Sequence, residues 1–261
     1  MIDVQLLRDA FVSEWTKLRT VRSSYWSALT AIVLGVGLGC LFSWGNASHY
    51  QQMSVSDRLT FDPTAISTAG LFFAQLALGV MTILAMTSEY STGTIRTTLS
   101  AVPQRGYSLA AKTILLGIIC LVLGMGLAFG TFFICHAIFA HYHLAVPLSD
   151  PGVARAIVGA GLYIGVLALF AMGLATILRH TAGAITTLVA FVFIIPIVSN
   201  LLPTSWQDHF SRYLPANAGG SVTEVVQQAH TLGPWAGFAV FVAWAIGALL
   251  VGWYLLRTRD V

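Results

Sequence analysis

An all-α protein threaded six times through a membrane is the fold class this sequence predicts, and three observations carry the prediction. Of 261 residues, 57% are hydrophobic and 9% charged, whereas soluble domains carry roughly 25% charged residues. So few charges cannot cover an aqueous surface, and the mean hydropathy of +0.80 agrees. The apolar residues gather into six runs, each near the ~20 residues that cross a hydrocarbon core ~30 Å thick as a helix. The runs are continuous rather than alternating, which excludes the closed β-barrel, the other structure whose backbone can satisfy itself in lipid. The same composition excludes disordered, collagen-like and coiled-coil classes.

Two regions are predicted: residues 1–23 as an interfacial helix and 24–261 as the six-span domain. In the first, Val4, Leu7, Phe11, Trp15, Leu18 and Val21 recur every three or four residues, while Arg8, Glu14, Lys17, Arg19 and Arg22 mostly take the other side. That pattern predicts an amphipathic helix over 3–22 lying on the inner leaflet, with Trp15 at headgroup level. The spans are predicted at about 25–44, 65–87, 113–139, 153–178, 182–202 and 235–256, and none contains Asp, Glu or Lys. The one charge inside them, Arg155, is close enough to an end to snorkel. The first span is read as a retained anchor, because the helix predicted over 3–22 precedes it in place of a short basic leader and no small-residue cleavage site follows. The third is longer than a straight crossing requires, so it should tilt, or bend near Gly124, Gly126 and Gly130.

Between the spans, residues 45–64 read as a polar, unstructured loop. Residues 88–107 are polar, but Ile95, Leu99 and Val102 share a face behind a Ser91 or Thr92 cap and ahead of Pro103, which predicts a short amphipathic helix. Glu89 and Arg96 flank that helix and can pair if the chain bends. In residues 203–233, short helices dipping into the outer leaflet are expected around Trp206–Leu214 and around Val222–Val226.

Orientation follows from the basic residues. The side of both termini holds Arg8, Lys17, Arg19, Arg22, Arg96, Arg105, Lys112, Arg179, Arg257 and Arg259, and the other holds Arg58, Arg155 and Arg212. Both termini are therefore expected in the cytoplasm of a multi-pass protein of the plasma membrane, bacterial in character. The small net charge of +3 gives no reason to expect nucleic acid as a partner. Cys40, Cys120 and Cys135 lie in apolar runs and make no disulfide framework.

Candidate chemistry is sparse. Gly106 to Thr113 comes near the phosphate-loop pattern, but Ala111 replaces its second glycine and the segment leads into a membrane helix. His136, His141 and His143 cluster without a Cys, Asp or Glu to complete a metal set, so no metal site is expected. Catalytic residues are not expected either. The span centres carry neutral polar groups such as Gln75, Thr82 and Thr131, with no ionisable group to couple an ion gradient. A chain without nucleotide or ion-coupling sites must draw any power from a partner. Phe72, Phe73, Gln75, Phe129 and Phe132 are the residues suggested for a substrate path, their apolar bulk suiting an amphiphile.

The motif Glu89-x-x-x-Gly93-Thr94-x-Arg96-x-x-Leu99-x-x-x-Pro103-x-Arg105 resembles the loop after the second span of type-2 ABC exporter permeases. The segment Glu14-Trp15-x-Lys17-Leu18-Arg19 is similar to the lead into their first span, and Leu214-Pro215-Ala216-Asn217-Ala218-Gly219 to the outer segment before their last. The resemblance implies a half-transporter joined to a second copy of itself or a similar permease, and to two copies of an ABC-type ATPase that bind ATP and magnesium. It implies a coupling helix with Glu89, Gly93, Thr94, Ile95, Arg96, Leu99 and Arg105 at the ATPase contact. It also implies a connecting helix with Phe11, Trp15, Lys17 and Arg19 on the inner leaflet, and re-entrant outer helices within 203–233. The expected activity is ATP-driven export of an amphiphilic substrate (a drug, peptide antibiotic or lipid) by alternating access. The alternatives are an energy-independent channel or scaffold, and a membrane-embedded enzyme using His141 and His143.

Overall fold

The computed structural model describes residues 4–91, 105–199, 201, 209–226 and 231–258, and every regular element among them is helical. Helix α1 is Val4–Thr20, followed by α2, Arg22–His49. Short helices α3, Val55–Leu59, and α4, Pro63–Thr68, lead into α5, Leu71–Ser91. The long helices α6, Arg105–His141, and α7, Val153–Leu178, follow. Next come α8, Thr181–Val189, and α9, Ile195–Ser199. The last two are α10, Pro215–Gly220, and α11, Pro234–Thr258.

Six helical stretches are long and apolar enough to cross a membrane: Arg22–Gln52, Pro63–Tyr90, Leu109–His141, Val153–Leu178, Thr181–Ser199 and Pro234–Thr258. They are called spans 1 to 6 below, and each coincides with a predicted run. The chain is thus an all-helical, polytopic membrane protein.

Span 4 is the axis of the bundle. Most of it is buried, whereas spans 1, 5 and 6 show most of their surface. It packs on spans 2, 3 and 6, and span 1 lies against spans 2 and 3. Ile157, Leu167, Phe170 and Met172 of span 4 are fully enclosed. Phe241 of span 6 stacks on Tyr163 with ring centroids 4.9 Å apart. Because lipid is as apolar as these side chains, close packing rather than hydrophobic drive holds the helices together. Glycine makes two of the crossings. A Cβ on Gly70 would collide with the carbonyl oxygen of Gly35 in span 1, and one on Gly173 would stand 2.6 Å from Ala248 Cβ in span 6.

Several expectations are corrected. Residues 45–64 are not an unstructured loop. Helix α2 runs on to His49 and a 3-10 turn, Tyr50–Gln52. The side chain of Ser54 then caps α3, and that of Asp62 caps α4 with Pro63 at its first position. Helix α6 continues through 37 residues, about 55 Å at 1.5 Å per residue, so it projects well beyond the ~30 Å apolar core rather than ending with the apolar run. The described part of span 5 runs to Ser199, with residues 200 and 202 outside the described residues, and contains a π-helical turn, Ala190–Ile194, immediately before Ile195-Pro196. Pro196 has no N–H to continue the α ladder, and a widened turn is how a helix absorbs that defect. Between spans 5 and 6, the described helical turns are Ser211–Tyr213 and α10, while Val222 sits buried in a turn rather than opening a helix. Pro215 starts α10, and residues 222–226 are turn and bend rather than helix, with 227–230 outside the described residues.

Candidate functional site

The densest chemistry lies at the end of the bundle that carries the termini. Helix α1 supplies Glu14 and Lys17 one turn apart, the end of span 2 supplies Glu89, and the start of span 3 supplies Lys112. Lys17 Nζ contacts Glu14 Oε1 and Glu89 Oε1, both at 2.8 Å. Lys112 Nζ contacts Glu89 Oε1 at 2.7 Å and Glu14 Oε2 at 3.2 Å. These four contacts close a ring of two cations and two carboxylates with no net charge. Lys112 also donates to the Ala85 carbonyl oxygen at 3.2 Å, so its three N–H groups have three acceptors.

The ring is buried. Side-chain exposure is 4% for Lys112, 5% for Glu14 and 10% for Glu89, against 40% for Lys17, which forms its open edge. Charges this enclosed are tolerated only in such mutual pairing. Burial opposes the charge on Lys17, but hydrogen bonds and attraction from Glu14 and Glu89 outweigh it and hold the ammonium above its ordinary value of 10.5. A cation with a raised folded-state value stabilises the fold below the unfolded value and loses that contribution as pH rises through the folded one. The Lys17 contribution is therefore expected to be flat across neutral pH and to vanish only above 10.5. Thermal melts of the protein and of Lys17→Met from pH 7 to 11 check this: their gap should close only at the alkaline end.

The ring also sets how α1 lies. Its charged edge faces the bundle, while Phe11, Val12 and Trp15 are turned outward and exposed. Arg19 is exposed as well, and its carbonyl oxygen accepts from the Tyr25 hydroxyl at 2.9 Å. Close by, Thr181 Oγ1 donates to Thr87 Oγ1 at 2.8 Å, tying the start of span 5 to the end of span 2. The Arg179 guanidinium lies over the Tyr90 ring and donates to the Leu255 carbonyl oxygen at 3.0 Å.

The structure thus gathers Glu89, Lys17 and Lys112, and adds Glu14. Glu89 is engaged by two lysines. Its suggested partner Arg96 lies outside the described residues, as do Gly93, Thr94, Ile95 and Leu99, and with them the amphipathic helix expected after span 2. Arg105 begins α6. Gly106–Thr113 forms the first turns of that helix, so the near-match to a phosphate loop has helical backbone and a lysine committed to carboxylates. Ring membership was missed because Lys112 reads as a flank of an apolar run. The available signal was the pair of acids and bases that all fall on one side of the membrane. Arg155 does not merely snorkel: its Nη2 donates to the main-chain oxygens of Glu224 and Val225 at 2.7 and 3.2 Å.

The suggested path residues divide. Phe72 and Gln75 line a cavity of about 430 Å³ in the half of the bundle away from the termini. Phe73 packs edge-on against Phe72, with centroids 5.6 Å apart. Phe132 is buried, and it and Phe129 each lie against Phe133 on span 3, away from this cavity. Among the described residues, no group of three His, Cys, Asp or Glu is placed to hold a metal ion, and the rings of His141 and Tyr142 lie edge to face at 5.2 Å.

Fold and ring together define a class: a polytopic helical membrane protein whose spans 2 and 3 are pinned to a helix beside the bundle. Comparison with protein-family models and with curated proteins finds no match.

Proposed function

We propose that the chain is the membrane-spanning permease subunit of an ATP-driven ABC exporter. The observation that carries this reading is the ion-pair ring. Spans 2 and 3 flank the stretch 92–104, and the ring clamps both to α1 where that stretch leaves and rejoins the bundle. A displacement of the stretch is passed to three helices together, which is what a motor acting on this face requires. The resemblance of Glu89–Arg105 to an exporter coupling loop supports the same assignment.

In this reading two copies of a separate ATPase bind ATP with magnesium and seat Gly93, Thr94, Ile95, Arg96 and Leu99. A second copy of this permease, or a similar one, completes the pathway, and α1 rests on the inner leaflet of the plasma membrane with both termini cytoplasmic. The chain performs no chemistry itself. Alternation between inward and outward access moves an amphiphilic substrate.

Affinity purification of the tagged chain from native membranes tests this. The eluate is expected to hydrolyse ATP, and Arg96→Ala with Leu99→Ala is expected to remove at least 90% of that activity, about the tenfold effect of losing 1.4 kcal/mol of docking energy. An eluate with no ATPase, or one unchanged by the double variant, refutes the assignment.

A further inference from the structure

Whereas the ion-pair ring occupies one end of the bundle, the cavity that holds Phe72 and Gln75 lies toward the other. It sits between spans 2, 4 and 5 and is closed by the segment containing α10. Its volume of about 430 Å³ lies within the range of small-molecule sites, ~300–1,000 Å³. Leu71, Ile164, Val192 and Phe193 give it an apolar interior, with Phe72 packed edge-on against Phe193, ring centroids 4.3 Å apart. Val192 and Phe193 belong to the π-helical turn of span 5, a distortion that recurs at functional sites. Phe72 and Ile197 are exposed, so the chamber adjoins the surface that faces out of the bundle.

The polar groups of the wall have largely spent their hydrogens on the protein. Thr68 Oγ1 donates to the Thr64 carbonyl oxygen at 3.0 Å, and Thr223 Oγ1 to that of Gly220 at 2.7 Å. Asn217 Nδ2 donates to the Ser211 carbonyl oxygen at 3.0 Å and to Ser211 Oγ at 2.8 Å, which uses both of its hydrogens. Gln75 Nε2 donates to the Phe72 carbonyl oxygen at 2.9 Å. With the nitrogens so placed, the amide oxygens are the ends left over, and each can accept. Gln75 Oε1 and Asn217 Oδ1 accept nothing among the described residues, and neither atom is sealed off. Gln75 is 4% exposed and lines the chamber, so its oxygen opens there. Against these acceptors stand the second N–H of Gln75 and the Tyr163 hydroxyl, which has no partner among the described residues.

We propose that this chamber binds uncharged amphiphiles headed by a hydrogen-bond donor, an alcohol above all, with the apolar body among the aromatic and aliphatic walls and the hydroxyl on the oxygens of Gln75 and Asn217. A hydroxyl leaving water for apolar surroundings loses free energy unless it finds a partner, and these oxygens supply one. A methyl ether of the same chain fits the same walls but leaves the oxygens unpaired. Glu224 is also in the wall, and because the ligand carries no charge its recognition does not depend on that side chain. As an assignment of cargo this rests on the exporter reading; as a binding site it belongs to the chain alone.

A photoreactive pair tests it: dodecan-1-ol carrying a mid-chain diazirine, and its methyl ether. Each is irradiated with the purified chain in phosphatidylcholine nanodiscs, and the labelled peptides are mapped by mass spectrometry. The alcohol is expected to label the peptides of Phe72 and Phe193 saturably, in competition with plain dodecan-1-ol. Half-saturation for the ether should need about tenfold more, the loss of one neutral hydrogen bond. Gln75→Leu, which removes the acceptor at nearly constant volume, should bring the alcohol to the level of the ether and leave the ether unchanged. Ile197→Trp, placed on an exposed wall and independent of the amide, should obstruct the chamber and weaken both compounds without lowering the melting temperature. Equal labelling by alcohol and ether overturns the proposal, as does an alcohol preference that survives Gln75→Leu, or labelling indifferent to Ile197→Trp. Saturable labelling of a chain that brings no ATPase from native membranes would sustain the chamber and sink the exporter reading. An ATPase-bearing chain with no saturable labelling would do the reverse.

Discussion

Lys112→Met is expected to destabilise the folded protein by about 3–5 kcal/mol, because removing one partner leaves buried charge without compensation. The lysine is the innermost member of the ring, with 4% of its side chain exposed and contacts to Glu14, Glu89 and the Ala85 carbonyl. Methionine keeps the length and apolar stem, so the loss reads the charge rather than the packing. Two carboxylates then share Lys17 alone, and the inner oxygen of Glu14 faces a thioether. The measurement is the midpoint of unfolding in a defined detergent, followed by size-exclusion fluorescence of a fused reporter. Adding Glu89→Gln to Lys112→Met removes one charge of each sign and restores neutrality with Glu14 and Lys17 still paired. That double variant should recover a substantial part of the midpoint. If Lys112→Met melts with the wild type, or if the second change makes matters worse by its full separate cost, the four side chains are not one coupled unit.

Restoring stability need not restore coupling. Wholly apolar replacements of buried ion pairs are often as stable as the originals, so under the proposed exporter reading the ring serves to fix which helices move together rather than to strengthen the fold. A neutralised ring that folds normally but no longer transmits movement from residues 92–104 would show this. The experiment, set on the proposed exporter reading, is to compare melting and the ATP-dependent transport it predicts in the same Glu89→Gln, Lys112→Met protein.

How much was legible in the sequence depends on the physics that acted on each part. All six spans were legible, because lipid forces an apolar run of fixed length to become a helix whatever it packs against. Helix α1 was legible in extent, ending at Thr20 with Val21 in extended conformation. Its relation to the bundle was not, because amphipathicity says that two faces differ without saying which meets protein. Here the charged edge turns inward, since Glu14 and Lys17 find partners on spans 2 and 3. Glu14 and Lys17 lie three residues apart, a spacing visible in the sequence. Glu89 and Lys112 join them only through the tertiary fold. Arg155 shows the same limit: its carbonyl partners come from a segment some seventy positions later. The short helices of residues 45–64 were hidden for a different reason. They are made by capping side chains at Ser54 and Asp62 rather than by apolar periodicity, and a reading tuned to hydropathy passes over them.

The sequence alone offers no rule for telling which glycines sit at close helix crossings, and the geometry supplies one. A Cβ at Gly173 would lie 2.6 Å from Ala248 Cβ, 2.7 Å from the Ala248 carbonyl carbon and 2.8 Å from the Leu249 nitrogen, whereas one at Gly126 would meet nothing within 4 Å. Backbone atoms cannot rotate aside, so even the smallest side chain at Gly173 must push span 6 off the central span 4. Overpacking of this kind costs about 1–3 kcal/mol and sometimes more, and Gly173→Leu belongs at the upper end because Gly252 meets Thr176 and the Gly173 carbonyl at the same crossing. Gly126→Leu is expected to be silent, although the two residues look alike as glycines in apolar helices. The comparison is made on melting midpoints, with Gly173→Ala as the intermediate case. A single site-directed disulfide between spans 4 and 6, forming readily in the parent and slowly in Gly173→Leu, would place the displacement at this crossing. Equal midpoints for Gly126→Leu and Gly173→Leu would mean that spans 4 and 6 are not in backbone contact there, and the packing of the bundle's axis would have to be redrawn.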